Sequence, residues 1–525
     1  MHADPIEMQK AVCAVSALTR DGQPEIRQLD ALLALDRQAH PVIELLLTQY
    51  VEDDGHIGSF EWKAWHSALR LGQSFCQAYE YFLHHIPTTT DDNWTDHEPL
   101  VRVHLFHHRK IEFLLRFLRY KKRSPDLWRQ LHQMYRLARE GNSLNRLDGM
   151  SRINGRRRTT GELEQQYLQI LLLEAMNSGR FSPREALWAH RWFARWCSAP
   201  GLQLSQLNGG DDLEPKGFVV DLAGTDGLKR PPAGGGDLPA GNLLYFDSSP
   251  LIALIDQEKA SLWDDATLPN RATPAARAGQ LALLNKLAIL FASNPVDIER
   301  RAERKPVALA VQAIVGFRRI VDELCRNGPP SFATAGYAGS IALPITGVFD
   351  GIPRVWQVKD RSDSGCRMRA QIDSLNGVIP GSLIAVRDSE TAPWIVSVVR
   401  WFRRLMVDYV EIGVEYLGRE PRFVKLVTGC DRDLSVGEAP PLASKCFAAL
   451  YLPPSAEYPT MPIKTLLLST HDFRADVDVT LLSSNATYRM RLNEPIQQQF
   501  EYVWTSFALI DDAAQLGAPG MAQAR

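Results

Sequence analysis

The first 200 residues alternate apolar and polar positions at helical spacing. Six segments carry apolar residues three and four positions apart, which is the period of an amphipathic helix: Ile26–Val51, Glu61–Ile86, Pro99–Tyr120, Ser124–Glu140, Gly161–Met176 and Ser182–Cys197. Ser124 and Ser182 each precede a proline, and Glu185 follows Ser182 at the third position, so both serines are expected to begin helices. Short connectors such as 177–181 predict antiparallel neighbours and an all-helical bundle or solenoid over residues 1–200.

A glycine- and proline-rich interval follows the helical pattern. Residues 201–242 cluster glycine, proline and aspartate, and this composition predicts a flexible linker. The glycines lack the lysine–serine ending of a phosphate-binding loop, which argues against a nucleotide hydrolase. Order resumes in a connecting segment, residues 243–298, where an apolar helix over Ala275–Ala292 ends at the stop signal Asn294-Pro295.

Short β-branched runs replace the helical pattern after residue 299. In residues 299–427, Val307–Arg326 fits a strand that enters a helix, and later strands are predicted at Cys366–Ala370, Pro380–Val386, Trp394–Trp401 and Val410–Gly418. Further runs predict a small β-rich region over 428–510: Cys446–Leu452, Ile463–Ser469, Asp476–Ser483, Thr487–Leu492 and 496–510. Residues 511–525 are expected to form a frayed tail. The predicted fold class is multidomain α + β, with a helical domain followed by an all-β domain and a further small β-domain; that the all-β domain is an antiparallel β-barrel is implied by a family resemblance.

Composition and charge narrow the choice of partners. The 525 residues are 45% apolar and 23% charged, which is typical of a soluble protein of about two to four domains. A net charge of −2 offers no general attraction to nucleic acid, so no nucleic-acid partner is expected. The chain lacks a basic, apolar leader and any run of eighteen apolar residues, so we expect a cytoplasmic protein without membrane insertion.

Cysteines and histidines give no metal or disulfide pattern. The seven cysteines are odd in number and lack Cys-x-x-Cys spacing, so neither a disulfide framework nor a zinc site is expected. Cys366 is interpreted as a half-buried strand residue. His104, His107 and His108 share one predicted helix, but no His-Glu-x-x-His pattern accompanies them, so they are interpreted as core or helix-surface residues and no metal cofactor is expected.

Two short motifs carry the candidate ligand chemistry. Arg300 and Arg304 lie four residues apart, with Arg301 beside them, and Pro306 favours an extended chain after them. The second motif is Asp360-x-Ser362-x-x-Gly365. Arginine forks match phosphate oxygens and guanine edges. A carboxylate and a hydroxyl can bind a guanine or hold a turn, and a glycine permits positive φ or close backbone approach.

The order of these motifs, set among β-strands, resembles the PilZ domain family. Val398-Val-Arg-Trp401 and Ile412-Gly-Val-Glu-Tyr-Leu-Gly418 also resemble the last strands of PilZ barrels, and the resemblance covers residues 299–427. It implies a β-barrel that binds cyclic di-GMP as its ligand, with no other cofactor. The implied ligand-binding residues are Arg300, Arg301, Arg304, Asp360, Ser362 and Gly365.

The spacing of the two motifs departs from the family pattern. Asp360 lies 56 positions after Arg304, whereas one hairpin usually separates the two motifs in the family. The interval includes a loop-like run from Gly328 to Gly336. An insertion that projects outward leaves the site intact; one that moves the arginines away from the barrel abolishes it. The sequence leaves both alternatives open.

Two function hypotheses follow. The first is a non-enzymatic cyclic di-GMP receptor that acts through an unidentified protein partner in motility, surface attachment or biofilm control. The second is a degenerate PilZ scaffold that binds no nucleotide and acts through its helical domain as an adaptor. Because no Gly-x-Ser-x-Gly motif, paired glycosidase carboxylates or cyclic di-GMP turnover motifs occur, an enzyme is the least favoured alternative.

Overall fold

The chain folds as two compact units. Unit 1 comprises Met1–Arg271 and Leu283–Asp297, and unit 2 comprises Ala272–Ala282 and Ile298–Arg525. The computed structural model describes residues 5–19, 25–52, 59–85, 92–120, 125–141, 152–153, 156–157, 162–177, 179–199, 201–206, 217–231, 242–264, 274–292, 303–326, 354–371, 378–405, 409–428, 445–454, 464–482, 487–499 and 501–510.

Unit 1 is built mainly from helices. These are α1 (Pro5–Ala17), α2 (Ile26–Glu52), α3 (Ser59–His85), α4 (Asp92–Leu118), α5 (Pro125–Glu140), α6 (Glu162–Ala175), α7 (Pro183–Trp196), α8 (Ser249–Asp264) and the second half of α9 (Pro274–Phe291). The six helices predicted over residues 1–200 are confirmed. Their bounds agree within two residues, except that α4 begins seven residues before the predicted start at Pro99.

Helix α7 shows how the local sequence sets a helix start. Ser182 accepts a hydrogen bond from the Glu185 N–H at 3.3 Å, and the Glu185 carboxylate accepts one from the Ser182 N–H at 2.7 Å. This capping box, with Pro183 at the first helical position, satisfies amide groups that the helix leaves free. The capped helix buries Trp192 and Phe193 in the core of unit 1.

A small sheet accompanies these helices. Two-residue strands β1 (Arg152–Ile153) and β2 (Arg156–Arg157) pair with each other, and β3 (Leu204–Gln206), β4 (Gly217–Asp221) and β5 (Leu243–Asp247) form a sheet in the order β3-β5-β4. Strands β3 and β4 lie within the interval predicted as a linker. Each of them pairs with β5, which is distant in the sequence, and local composition does not predict such pairing.

The first half of unit 2 is a closed antiparallel barrel, here called barrel 1. Its strands are β6 (Lys305–Val315), β7 (Arg354–Ser362), β8 (Gly365–Gln371), β9 (Leu383–Arg387), β10 (Ile395–Arg404) and β11 (Tyr409–Arg419), paired in the order β10-β11-β8-β7-β6-β9. Helix α10 (Phe317–Arg326) follows β6, as the sequence predicts. Cys366, Met368 and Ala370 are buried, so the intervening Arg367 and Arg369 lie on the outer face of β8.

The second half of unit 2 is another closed six-stranded barrel, barrel 2. Its strands are β12 (Arg422–Thr428), β13 (Lys445–Leu452), β14 (Thr465–Ser469), β15 (Asp478–Leu482), β16 (Thr487–Gln498) and β17 (Tyr502–Leu509), in the order β12-β13-β14-β17-β16-β15. The predicted fold class, a helical part followed by a barrel and a further β-domain, is confirmed. Strand β12, grouped by sequence with the first barrel, pairs instead with β13 and β15.

The two barrels share one apolar core. Phe317 of α10 and Leu383 of β9 belong to the same buried cluster as Leu450 and Trp504 of barrel 2. The carboxylate of Glu501, which precedes β17, accepts a hydrogen bond of 3.2 Å from the backbone N–H of Phe317, the first residue of α10. Burial raises the pKa of Glu501. The barrels therefore form a joined pair within unit 2.

Among the described residues, the helices are either too short or too polar to cross a lipid bilayer.

Candidate functional site

The hairpin formed by β7 and β8 carries the second sequence motif. Asp360 and Ser362 are on β7, and Gly365 begins β8 directly opposite Ser362. The Ser362 hydroxyl donates a hydrogen bond of 3.2 Å to the Gly365 carbonyl, so it holds the hairpin turn. The sequence left two roles open for this serine, guanine binding and holding a turn. In the free protein its hydroxyl holds the turn.

Gly365 is required by close packing. A Cβ atom built at this position would lie 2.1 Å from the carbonyl oxygen of Val414 on β11. Real Cβ atoms do not approach backbone oxygens so closely, and a backbone oxygen in a paired strand cannot move aside cheaply. Of the two alternatives in the sequence, positive φ or close approach, the structure shows close approach.

Arg304 and Asp360 are brought together. Arg304 lies immediately before β6, and its Nη1 is 3.0 Å from Oδ1 of Asp360. The other carboxylate oxygen of Asp360 lies 2.7 Å from Nε of Arg367 on β8. The β6–β7–β8 register aligns these groups because Pro306 and Arg367 both pair with Asp360. We call Arg304, Asp360, Ser362, Gly365 and Arg367 the candidate site.

Arg300 and Arg301 lie outside the described residues, as does the loop-like run between Gly328 and Gly336. The question of whether the insertion removes the arginines from the barrel is therefore answered for Arg304 alone: its guanidinium contacts the motif hairpin. The part assigned to Arg300 and Arg301 stays a prediction.

Arg361, a variable position of the motif, makes strong contacts that sequence reasoning missed. Its guanidinium donates two hydrogen bonds, of 2.8 and 2.7 Å, to Asp388 in the turn after β9, and Nε donates one of 3.1 Å to the Tyr416 hydroxyl. The hydrogen bonds to Arg361 hold the pKa of Asp388 below its usual value. Asp388 lies 27 residues beyond Arg361, so local spacing gave no signal for this pair.

Cys366 is more deeply buried than the sequence suggested. Its side chain is within barrel 1. Burial raises the pKa of the thiol to about 11. A thiol that stays protonated at neutral pH is a poor nucleophile and metal ligand, so Cys366 has a structural role.

The histidines singled out on α4 lie in a polar network inside unit 1. His104 and His108 contact opposite oxygens of the buried Asp36 of α2, at 2.7 and 3.0 Å. The Tyr79 hydroxyl of α3 donates to the same carboxylate at 2.7 Å. Within the described residues, His, Cys, Asp and Glu side chains form no group of three that could hold a metal ion. Of the two alternatives that the sequence left open, core or helix surface, His104 and His108 are core residues, and His107 is partly exposed.

Fold and site together define a class: a helical unit followed by a tandem of antiparallel barrels with an ion-paired arginine hairpin on the first. Residues 1–206 match the family described as "Cyclic-di-GMP receptor FimW, N-terminal domain". The chain is therefore similar to a cyclic di-GMP receptor family, but through residues 1–206 and not through residues 299–427, where the sequence predicted the similarity. The PilZ resemblance of residues 299–427 stays a prediction. No curated protein and no solved structure matches the chain.

Proposed function

We propose that the protein is a cyclic di-GMP receptor. The observation that carries this proposal is the similarity of residues 1–206 to the N-terminal domain of a cyclic di-GMP receptor family. The similarity does not identify ligand-binding residues in the helical region. Buried charged side chains there, such as Arg109 with Glu80 and Glu112, form ion pairs with one another. A receptor binds its ligand without turnover, so no catalytic group is required.

The ligand site is proposed to be the candidate site on barrel 1. Cyclic di-GMP carries two phosphodiester anions and two guanines. Arg304 and Arg367 supply guanidinium groups that match phosphate oxygens or guanine edges, and Asp360 holds both of them in place before the ligand arrives. Arg300 and Arg301, four and three positions before Arg304, are proposed to close over the ligand from the segment that precedes β6.

The output is proposed to be a changed interaction with a protein partner. A ligand alters a partner's affinity only if it binds the partner-competent state more tightly. A rearrangement of Arg304 and Asp360 on ligand binding is proposed as a change of that kind. Motility, surface attachment and biofilm formation are the responses that we associate with such a receptor.

A calorimetric titration of the full chain with cyclic di-GMP tests the site. We expect the wild type to bind and Arg304→Ala to bind at least about tenfold more weakly, because a hydrogen bond to a charged group contributes about 1.5–3 kcal/mol. Arg326→Ala is the control, since Arg326 is exposed on α10 and pairs with Glu323 at 3.3 Å. Absence of binding by the wild type contradicts the receptor proposal, and unchanged affinity of Arg304→Ala contradicts the site alone.

A further inference from the structure

A row of charged residues crosses three neighbouring strands of barrel 1 beside the candidate site. Glu411 of β11 stands directly opposite Arg369 of β8 on one side and Arg403 of β10 on the other. The Glu411 carboxylate contacts Arg369 at 3.4 Å and forms a close ion pair with Arg403. We call Arg369, Glu411 and Arg403 the arginine row.

The arginine row faces outward, on the same surface as the candidate site. Val410 and Ile412 on either side of Glu411 are buried in the barrel, so Glu411 belongs to the outer face. The side chains of Arg369 and Arg403 are 39% and 41% exposed, whereas that of Glu411 is 5% exposed. Two accessible guanidinium groups therefore cover one buried carboxylate.

Arg367 links the row to the candidate site. Its Nε lies 2.7 Å from Asp360, and its Nη1 lies 3.9 Å from Glu411. Side chains on one face of a strand recur every second residue, about 7 Å apart. Arg367 and Arg369 are such neighbours on β8, so a ligand bound at the candidate site lies beside the arginine row.

The connected groups carry more positive than negative charge. Four guanidinium groups share two carboxylates, those of Asp360 and Glu411. Each guanidinium has five N–H donors, so four of them offer more donors than two carboxylates can accept. The excess of two positive charges matches in magnitude, with the opposite sign, the two negative charges of a molecule with two phosphodiesters.

Uncharged residues lie between Arg367 and Arg403 on the outer face of the barrel. Gly413 of β11 is opposite Trp401 of β10, and a Cβ atom at residue 413 would lie 2.0 Å from the indole nitrogen of Trp401. The absence of a side chain at Gly413 thus lets the indole lie over the strand. Between Arg367 and Arg403 the surface is therefore formed at this point by an uncharged indole.

We propose that Arg369 and Arg403 form a second anion subsite, which binds one phosphodiester of cyclic di-GMP while the candidate site binds the rest of the ligand. This inference rests on the proposed function. Glu411 occupies the space between the two arginines and aligns them in the free protein. It competes with the ligand phosphate for the same donors, so it limits the affinity.

Substitutions on the row give opposite effects if the subsite exists. Arg369→Ala and Arg403→Ala each weaken cyclic di-GMP binding about three- to tenfold, because each removes a donor that is partly exposed to solvent. Glu411→Gln keeps the shape of the side chain and removes the competing charge, so it tightens binding about threefold or more. Arg403→Lys keeps the charge but loses the fork, and its affinity falls between those of the wild type and Arg403→Ala.

The experiment is calorimetric titration of the full-length variants with cyclic di-GMP at two salt concentrations. Arg491→Ala is the matched control, because Arg491 makes a cross-strand ion pair of 2.7 Å with Asp478 on barrel 2, away from the row. The control should bind as the wild type does. Screening by salt should weaken the wild type more than Arg369→Ala, which has one phosphate contact fewer.

The outcomes separate this inference from the proposal on which it rests. The subsite is overturned if Arg369→Ala and Arg403→Ala bind with wild-type affinity, or if Glu411→Gln binds no more tightly than the wild type. Either result counts against the subsite even when the wild type binds and Arg304→Ala does not. A failure of the wild type to bind overturns both proposals. Circular dichroism and thermal unfolding of each variant show whether the barrel is intact. If Glu411→Gln unfolds, the affinities of Arg369→Ala and Arg403→Ala decide whether the subsite exists.

Discussion

At the scale of single residues, the motif on β7 and β8 combines positions that hold the hairpin with a position that forms ion pairs. Gly365 and Ser362 define the hairpin: the glycine by its contact with Val414, the serine by its bond to the Gly365 carbonyl. Asp360 instead points its carboxylate at two guanidinium groups. Motif positions that look equivalent in the sequence therefore differ in what their substitution would do.

Replacement of Gly365 by alanine should destabilise barrel 1 by about 1–3 kcal/mol, the usual cost of forcing an extra carbon into a packed interior. The reason is the 2.1 Å approach of the new Cβ to the Val414 carbonyl oxygen. Urea unfolding of the full chain measures the effect. Gly72→Ala is the control, since nothing lies within 4 Å of a Cβ at that position of α3, and alanine there should be neutral or stabilising. Equal stabilities of the two variants would contradict the packing argument.

At the scale of elements, α4 differs from an ordinary buried helix because charged residues enter its core face. Arg109 forms ion pairs with Glu80 of α3 and, at 2.8 Å, with Glu112 of α4 itself. Lys110 donates a hydrogen bond of 2.9 Å to Gln169 of α6. Burial lowers the pKa of Lys110 to about 8. Buried charges require such partners, so α4 fixes the positions of its neighbours through polar as well as apolar contacts.

Histidines around this helix make unit 1 sensitive to acid. Burial, with the charges of Lys110 and Arg191, lowers the pKa of His190 on α7 to about 3, and burial also lowers the pKa of His107 and His132. As the pH falls below about 6.5, the unfolded chain takes up protons at these histidines before the folded chain does. Their contribution to stability is therefore complete above about pH 6.5 and declines as the pH falls toward 3.

The corresponding experiment compares stability at pH 7.5 and pH 5. We expect the free energy of unfolding of unit 1 to fall between these values, with about 1–2 kcal/mol of the loss coming from His190, whose pKa of about 3 lies well below its value in the unfolded chain. Hydrogen exchange of α6 and α7 peptides measures it for this unit alone. His190→Gln should reduce the loss, whereas His471→Gln, at an exposed position of barrel 2, should not. A loss of the same size in His190→Gln would show that this histidine is not responsible.

The sequence predicted most elements because their signals are local. Apolar periodicity and caps placed six helices of residues 1–200, and β-branched runs placed most strands of both barrels, although α1, β7 and β12 were not predicted. Pairing is not local: Arg361 meets Asp388, and β12 joins barrel 2, only because the strands close into barrels. Arg304, Asp360 and Gly365 were found through a motif, whereas Arg367 contacts Asp360 through strand register, which sequence periodicity does not fix.

At the scale of the whole molecule, two pieces of evidence for a receptor come from different units. The family similarity lies in residues 1–206, within unit 1, and the candidate site lies on barrel 1, within unit 2. The charged groups of α4 are buried and paired inside unit 1, whereas the guanidinium groups of the candidate site and the arginine row are on an accessible surface. Accessibility favours unit 2 as the place where the ligand binds.

Hydrogen exchange with and without cyclic di-GMP tests this choice. A ligand at one hundred times its dissociation constant stabilises the structure that binds it by about 2.7 kcal/mol. Because the two barrels share an apolar core, we expect slower exchange in β7, β8 and β11 and a smaller effect in barrel 2. Arg304→Ala, measured at the same ligand concentration, should lose most of the protection. Protection confined to α1–α7, and unchanged by Arg304→Ala, would instead place the ligand in the helical unit, because protection follows the bound state and not the location of sequence motifs.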